Sequence, residues 1–165
     1  MASLFAFIHH LAAFVLFAAL VMEFVLIKGE TASSSAVEGE RAVNALTLAN
    51  ARKLLRADMI FGIASGVLLL AGMVRVFYLE KGAEYYFHSA PFIAKLALFV
   101  VVGLLSIYPT LKFLSWRKDV KAGRAPVPGA PTLRRIKLVL HIEMTGVVLI
   151  ILFAALMARG VGSYG

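Results

Sequence analysis

The sequence predicts an all-α integral membrane protein, a bundle of four transmembrane helices with both termini outside. Hydrophobic residues make up 61% of the chain and charged residues only 16%, whereas soluble domains average roughly 45–50% and 25%. The apolar residues fall into four long stretches, and a helix needs ~20 of them in succession to cross a bilayer. Because lipid offers no hydrogen bonds to the backbone, such segments are expected to be helical.

The four stretches cover residues 4–27, 59–79, 91–114 and 137–158 of a single domain that spans residues 1–165. The first stretch has no basic segment before it and is longer than the apolar part of a signal peptide. We therefore expect it to remain in the protein as a transmembrane helix.

The second stretch contains two glycines, Gly62 and Gly66, at a spacing that permits close approach of another helix. We expect this pair to pack within one bundle in preference to a contact between copies. A homodimer is nevertheless predicted for the protein as a whole.

Basic residues are concentrated in the first and third connections, residues 28–55 and 115–136. The second connection instead combines Lys81 with Glu80 and Glu84. The two basic connections must share one side of a four-span protein, and the positive-inside rule places that side in the cytoplasm. The predicted location is therefore a bacterial inner membrane, where lipid surrounds the bundle.

The same two connections are expected to be only partly helical. Residues 31–35 are predicted to form an irregular loop, and residues 42–56 an amphipathic segment that leads into the second span. In the third connection, three prolines are expected to prevent a helix: Pro126, Pro128 and Pro131.

Composition excludes several classes of function. The net charge of +8 lies in segments beside the membrane, where anionic lipid headgroups account for it, and no basic face with interleaved aromatic residues suggests nucleic-acid binding. The chain has no cysteine, so disulfides, iron–sulfur clusters and thiolate zinc sites are excluded.

One group of polar residues lies near the outer ends of the first and third spans. His9, His10 and Lys95 fall at comparable depths and can face one another across the bundle. Ala12 and Ala13 leave space beneath the histidines. A flat macrocycle such as haem needs a nitrogen ligand for its iron and, beside that ligand, small side chains that leave space for the ring. These three residues are therefore predicted as candidate iron ligands.

A second group lies near the inner ends of the spans and contains Glu23, Asp58, His141 and Glu143. Asp58 can pair with a nearby arginine, and Glu23 with Lys28 or Arg135. His141 and Glu143 are expected on different sides of their helix, so a shared ligand is not predicted. Glu23 and Asp58 are an alternative metal site, although no Glu-x-x-His pair supports it.

Both groups also have a purely structural interpretation. A membrane histidine can hydrogen-bond to a neighbouring helix, and Lys95 can extend towards the interface or pair with Glu80 or Glu84. For His141 the structural and ligand interpretations stay balanced. For the outer group a ligand or redox site is favoured.

The sequence resembles a family of uncharacterised bacterial four-helix membrane proteins grouped as a domain of unknown function. The segments that carry the resemblance are FIHHL (7–11), RAD (56–58), RVFYLEKGAEYY (75–86), PFIAK (91–95), IYPT (107–110) and ALMARG (155–160). They extend over nearly the whole chain, and the resemblance implies the four-helix architecture.

The chain is also distantly similar to the haem-containing four-helix protoporphyrinogen oxidases of bacteria. Those oxidases have a histidine near the outer end of the first helix and a lysine early in the third, and the similarity implies haem b ligation by His9 or His10 with Lys95. They typically carry a His-x-Lys pair in the third helix, whereas this chain has Ile93 at the histidine position.

The leading hypothesis is a small membrane b-type cytochrome that transfers electrons, with a quinone or porphyrin as apolar partner and Tyr85 and Tyr86 available for stacking. One haem b per chain is expected. A second haem on the inner side, supported by His141, is a weaker alternative. Its propionates would pair with Arg134, Arg135 or Arg56. Two alternatives stay open: a haem-dependent membrane oxidase of the protoporphyrinogen oxidase type, and a non-redox bundle with an ion or metal site. The sequence does not decide between an enzyme, which would be an oxidoreductase, and a protein without catalytic activity.

Overall fold

The computed structural model describes residues 1–35, 46–79 and 86–159, without the side chains of residues 30–35. Its helices are α1 (Ala2–Ser35), α2 (Leu48–Val74), α3 (Ala90–Lys121) and α4 (Ala130–Ala158). A π-helical segment, Arg75–Leu79, continues α2.

All four helices are long and apolar enough to cross a membrane. In the most apolar 18-residue segment of each helix, the share of residues buried inside the protein is 33% for α1 and 17% for each of the other three helices. The remaining apolar side chains therefore need a lipid environment. The predicted all-α, four-span membrane fold is confirmed.

The helices form a bundle in which α1 packs chiefly on α2 and α3 on α4, while α1–α4 and α2–α3 contacts close the ring. The largest side chains of the core are fully buried: Leu20, Ile27, Leu54, Phe113, Leu133, Ile136 and Leu140. Helices α3 and α4 approach each other closely at Gly146, where an added Cβ would lie 2.5 Å from Val102 Cγ2. Only glycine permits that approach.

Two expectations for the connections are wrong. Residues 31–35 continue α1 as a helix, because a helix satisfies its own backbone hydrogen bonds beyond the lipid as well as within it. Helix α3 extends to Lys121, and Pro131 lies in the first turn of α4, where proline needs no hydrogen-bond partner for its nitrogen. The segment between α3 and α4 is accordingly shorter than predicted. Pro126 and Pro128 lie in a non-helical segment, as predicted.

The first and third connections lie on the same side, as predicted. The backbone N–H of Leu46 donates to the carbonyl of Pro126 at 3.2 Å. Helix α2 begins at Leu48, capped by Thr47, whose side chain accepts from Asn50 N. The rest of the predicted lead-in, residues 42–45, lies outside the described residues. This side is called inner below, and the opposite side outer, following the positive-inside rule.

The glycine pair of α2 does not pack within the bundle. Gly62 and Gly66 are exposed, and nothing lies within 4 Å of a Cβ built on either of them. The expectation of a contact inside one bundle is therefore wrong, because α1 and α3 meet other faces of α2. The homodimer stays a prediction.

Candidate functional site

An outer cavity of about 330 Å³ lies among the outer parts of the four helices. Its walls are mainly apolar, and the aromatic side chains in them are Phe77, Tyr86, Phe87, Phe92 and Phe99. Ile150 and Met157 of α4 close it on one side. Three nitrogen-bearing side chains also line it: His9, Arg75 and Lys95. The cavity therefore suits a ligand with a large apolar body and a polar or anionic end.

The imidazole of His9 is fixed against α2. Its Nδ1 lies 3.1 Å from the carbonyl oxygen of Leu68. Because a carbonyl only accepts, Nδ1 carries the hydrogen in this contact, and Nε2 of the neutral ring keeps its lone pair. The ring is only partly exposed. One nitrogen of His9 thus orients the ring and the other is available to a ligand.

Gly72 provides the space for this arrangement. A Cβ at residue 72 would lie 3.1 Å from His9 Cε1 and 3.4 Å from His9 Nδ1. Any larger side chain would press on the imidazole, so the absence of a side chain at Gly72 lets the ring reach the Leu68 carbonyl.

The two cationic side chains come from different elements. Lys95 belongs to the early part of α3, and its Nζ lies 5.2 Å from the centre of the Phe92 ring, a cation–π distance. Arg75 is the first residue of the π-helical segment, and π-helical turns occur frequently at functional sites. Sequence reasoning did not single out Arg75 as a site residue. The signal available was a cation inside the apolar stretch 59–79.

The structure separates the two adjacent histidines. His10 is exposed, and its Nδ1 lies 2.6 Å from the carbonyl oxygen of Ala6, one turn earlier in α1. Its ring meets His9 edge-on at 5.9 Å between centres. His9 and Lys95 line the outer cavity, whereas His10 does not. Of the two tyrosines predicted for stacking, Tyr86 lines the cavity and Tyr85 lies outside the described residues.

The inner carboxyl cluster consists of Glu23, Asp58 and Glu143, with exposed fractions of 2%, 9% and 1%. The three groups are close enough to interact electrostatically. Thr110 donates a hydrogen bond from Oγ1 to Asp58 Oδ1 at 2.5 Å. Oε1 of Glu23 and Oε1 of Glu143 are buried without a hydrogen-bond partner.

The pairings expected for these carboxyl groups do not form. Asp58 bonds to a hydroxyl group rather than to an arginine, and Glu23 makes no ion pair with Lys28 or Arg135 in the part of the chain that is described. Lys28 and Arg135 are exposed on the surface of the bundle.

His141 lies apart from the carboxyl cluster. It is exposed, and its ring centre is 5.9 Å from that of Phe24. Glu143 is buried, so the prediction that these two residues face different sides of α4 is confirmed. Arg135 is exposed on α4.

Arg56 occupies a different place again. It lines an inner groove of about 430 Å³ between the inner ends of α2 and α3, with Arg52, Arg117 and Lys121. His141, Arg56 and Arg135 are therefore not gathered into one of the two cavities. Within residues 1–29, 46–79 and 86–159, no three His, Asp or Glu side chains form a group that could hold a metal ion.

Comparison with known proteins gives one match. The family model described as "Predicted membrane protein (DUF2214)" matches residues 1–162. No curated protein and no solved structure matches the chain. The similarity to haem-containing oxidases has no counterpart in these comparisons.

Proposed function

The chain belongs to this family of membrane proteins, and we propose that it is a small b-type cytochrome that binds one haem b in the outer cavity and transfers electrons. One observation carries the proposal. The Nδ1 of His9 is bound to the Leu68 carbonyl, which leaves Nε2 for a ligand in an apolar cavity that also contains Lys95 and Arg75.

The residues of the cavity fit the chemistry of haem. A metal-ligating histidine almost always donates its other ring N–H to a carbonyl or carboxylate, and His9 makes such a bond. The aromatic walls suit a flat apolar macrocycle, and the volume of about 330 Å³ lies at the lower end of the ~300–1,000 Å³ usual for ligand sites. Arg75 supplies a guanidinium that matches a carboxylate, as a haem propionate requires.

Each residue then has a defined role. His9 and Lys95 would hold the haem iron, and Lys95 would do so as a neutral amine. Arg75 would hold a propionate, and the apolar walls would surround the macrocycle. Haem, when bound, supplies one-electron redox chemistry whose potential depends on the axial ligands and on burial.

The electron partner is proposed to be a quinone, because the cavity lies within the span of the lipid and its walls are apolar. A quinone dissolved in the bilayer reaches such a site without crossing water. The proposed location is the bacterial inner membrane, with the inner end of the bundle in the cytoplasm.

The experiment is an optical spectrum of the detergent-purified full chain, oxidised and dithionite-reduced, together with a pyridine haemochrome assay. The proposal predicts a Soret band, sharp reduced α and β bands, and one haem b per chain. A colourless protein after expression with ample haem would overturn it.

A further inference from the structure

We infer that the inner carboxyl cluster, Glu23, Asp58 and Glu143, is a proton-binding site that exchanges protons with the cytoplasmic side of the membrane. This inference is independent of the proposed haem. Both sites use α1, but His9 and Glu23 are fourteen residues apart, which is about 21 Å along a helix at 1.5 Å per residue.

Two buried carboxyl oxygen atoms of the cluster make no hydrogen bond. Glu23 and Glu143 are 2% and 1% exposed, and Oε1 of each lacks a hydrogen-bond partner. An ionised carboxylate without partners in a low-dielectric interior is costly by several kcal/mol or more. A proton bound to the carboxyl group removes that charge.

Among the described residues, no cation is paired with a carboxyl group of this cluster. Glu23 of α1 interacts electrostatically with Asp58 of α2 and Glu143 of α4. Thr110 of α3 donates a hydrogen bond to Asp58.

The nearest cations along α1 and α4, Lys28 and Lys137, lie more than one turn closer to the inner end. On α2 and α3 the nearest cations are Arg56, which is exposed, and Lys112, whose Nζ lies over the Tyr108 ring. None of the described cations forms an ion pair with a member of the cluster.

The carboxyl groups of the cluster suit a proton better than a metal ion. A metal ion requires several oxygen ligands that converge at one point, and the described side chains contain no such group. A proton requires one lone pair, and the cluster offers two buried oxygen atoms that are not engaged.

Asp58 offers a route by which a proton passes between the inner side and the two buried glutamates. Asp58, at 9%, is the most exposed of the three. On α2 it lies three residues, about one turn, after Leu55, which lines the inner groove. A protonated Asp58 passes its proton to an ionised Glu23 or Glu143 and becomes a carboxylate, while the total charge of the cluster is unchanged. The Thr110 hydroxyl donates to Asp58 Oδ1 and stabilises the carboxylate that remains.

The experiment treats the detergent-purified full chain with dicyclohexylcarbodiimide, an apolar reagent that modifies protonated carboxyl groups, and maps the adducts by mass spectrometry. We expect an adduct on Glu23 or Glu143 at neutral pH that is lost in strongly alkaline solution, as the carboxyl groups lose their protons. Adding sodium chloride at constant pH leaves the adduct unchanged. Glu23→Gln and Glu143→Gln each abolish their own adduct, whereas Asp119→Asn, which changes an exposed carboxylate paired with Arg124, abolishes neither.

Two results would overturn the inference: no adduct at any pH on the folded chain, or protection by sodium at constant pH, which would identify a sodium site instead. If the glutamine variants do not fold, infrared spectra of the unmodified chain decide the question. A protonated carboxyl C=O band that is present near neutral pH and lost at alkaline pH supports the inference, and its absence near neutral pH contradicts it.

Discussion

The imidazole of His9 lies directly over Gly72, so close that a Cβ on residue 72 would come within 3.1 Å of His9 Cε1. The same approach brings His9 Nδ1 to 3.1 Å from the Leu68 carbonyl. Because Gly72 on α2 has no side chain, the His9 ring can adopt this orientation at the outer cavity. The orientation in turn determines which nitrogen of His9 a ligand meets.

Replacing Gly72 with alanine tests this relationship. The methyl group would push the imidazole by a few tenths of an ångström and weaken its bond to Leu68, a loss of about 1 kcal/mol. We expect a five- to tenfold loss of haem affinity in Gly72→Ala, measured by titrating haem into the apoprotein. The control is Gly66→Ala, which has open space around the added Cβ and should bind haem like the wild type.

Lys95 and Arg75 are assigned different roles, so their variants should behave differently. Lys95→Ala is expected to keep haem but to convert it from a low-spin to a high-spin spectrum, because one axial ligand is lost. Arg75→Gln is expected to keep the spectrum and lose about ten- to a hundredfold in affinity, the equivalent of one charge-assisted hydrogen bond of ~1.5–3 kcal/mol. Absorption spectra and haem titration separate the two outcomes, and an unchanged spectrum in Lys95→Ala would remove Lys95 as a ligand.

The contact between Gly146 and Val102 predicts a stability effect that involves no cofactor. A Cβ at residue 146 would lie 2.5 Å from Val102 Cγ2, so Gly146→Ala should lower the free energy of unfolding by about 1–3 kcal/mol. Unfolding of the purified protein in mixed detergent measures it. The double variant Gly146→Ala/Val102→Ala should recover part of the loss, and purely additive effects would contradict a direct contact.

The sequence was sufficient for the architecture because apolar length and charge distribution depend on local composition. Four runs of about twenty apolar residues require four helices. Four spans place the first and third connections on one side, as the Leu46–Pro126 bond confirms. The same reasoning placed His9 and Lys95 at one depth, and the structure brings both to one cavity.

Contacts between helices could not be predicted from the sequence, because they depend on how each helix is rotated about its axis. His9 and His10 are adjacent in sequence, yet one lines the cavity and the other is exposed. Hydropathy gives no rotation for a helix that is apolar on every side. For the same reason the outward position of Gly62 and Gly66, and the part played by Gly72 and Arg75, became visible only in the structure.

The most direct test of the proposed cytochrome is the haem content of His9→Ala beside that of His10→Ala, after identical expression and purification. The two histidines are neighbours, but only His9 lines the outer cavity. We predict that His9→Ala loses most of its haem and regains a low-spin spectrum when imidazole is added, while His10→Ala keeps one haem per chain. Equal haem content in the two variants, or loss only in His10→Ala, would contradict the assignment of His9 as the axial ligand.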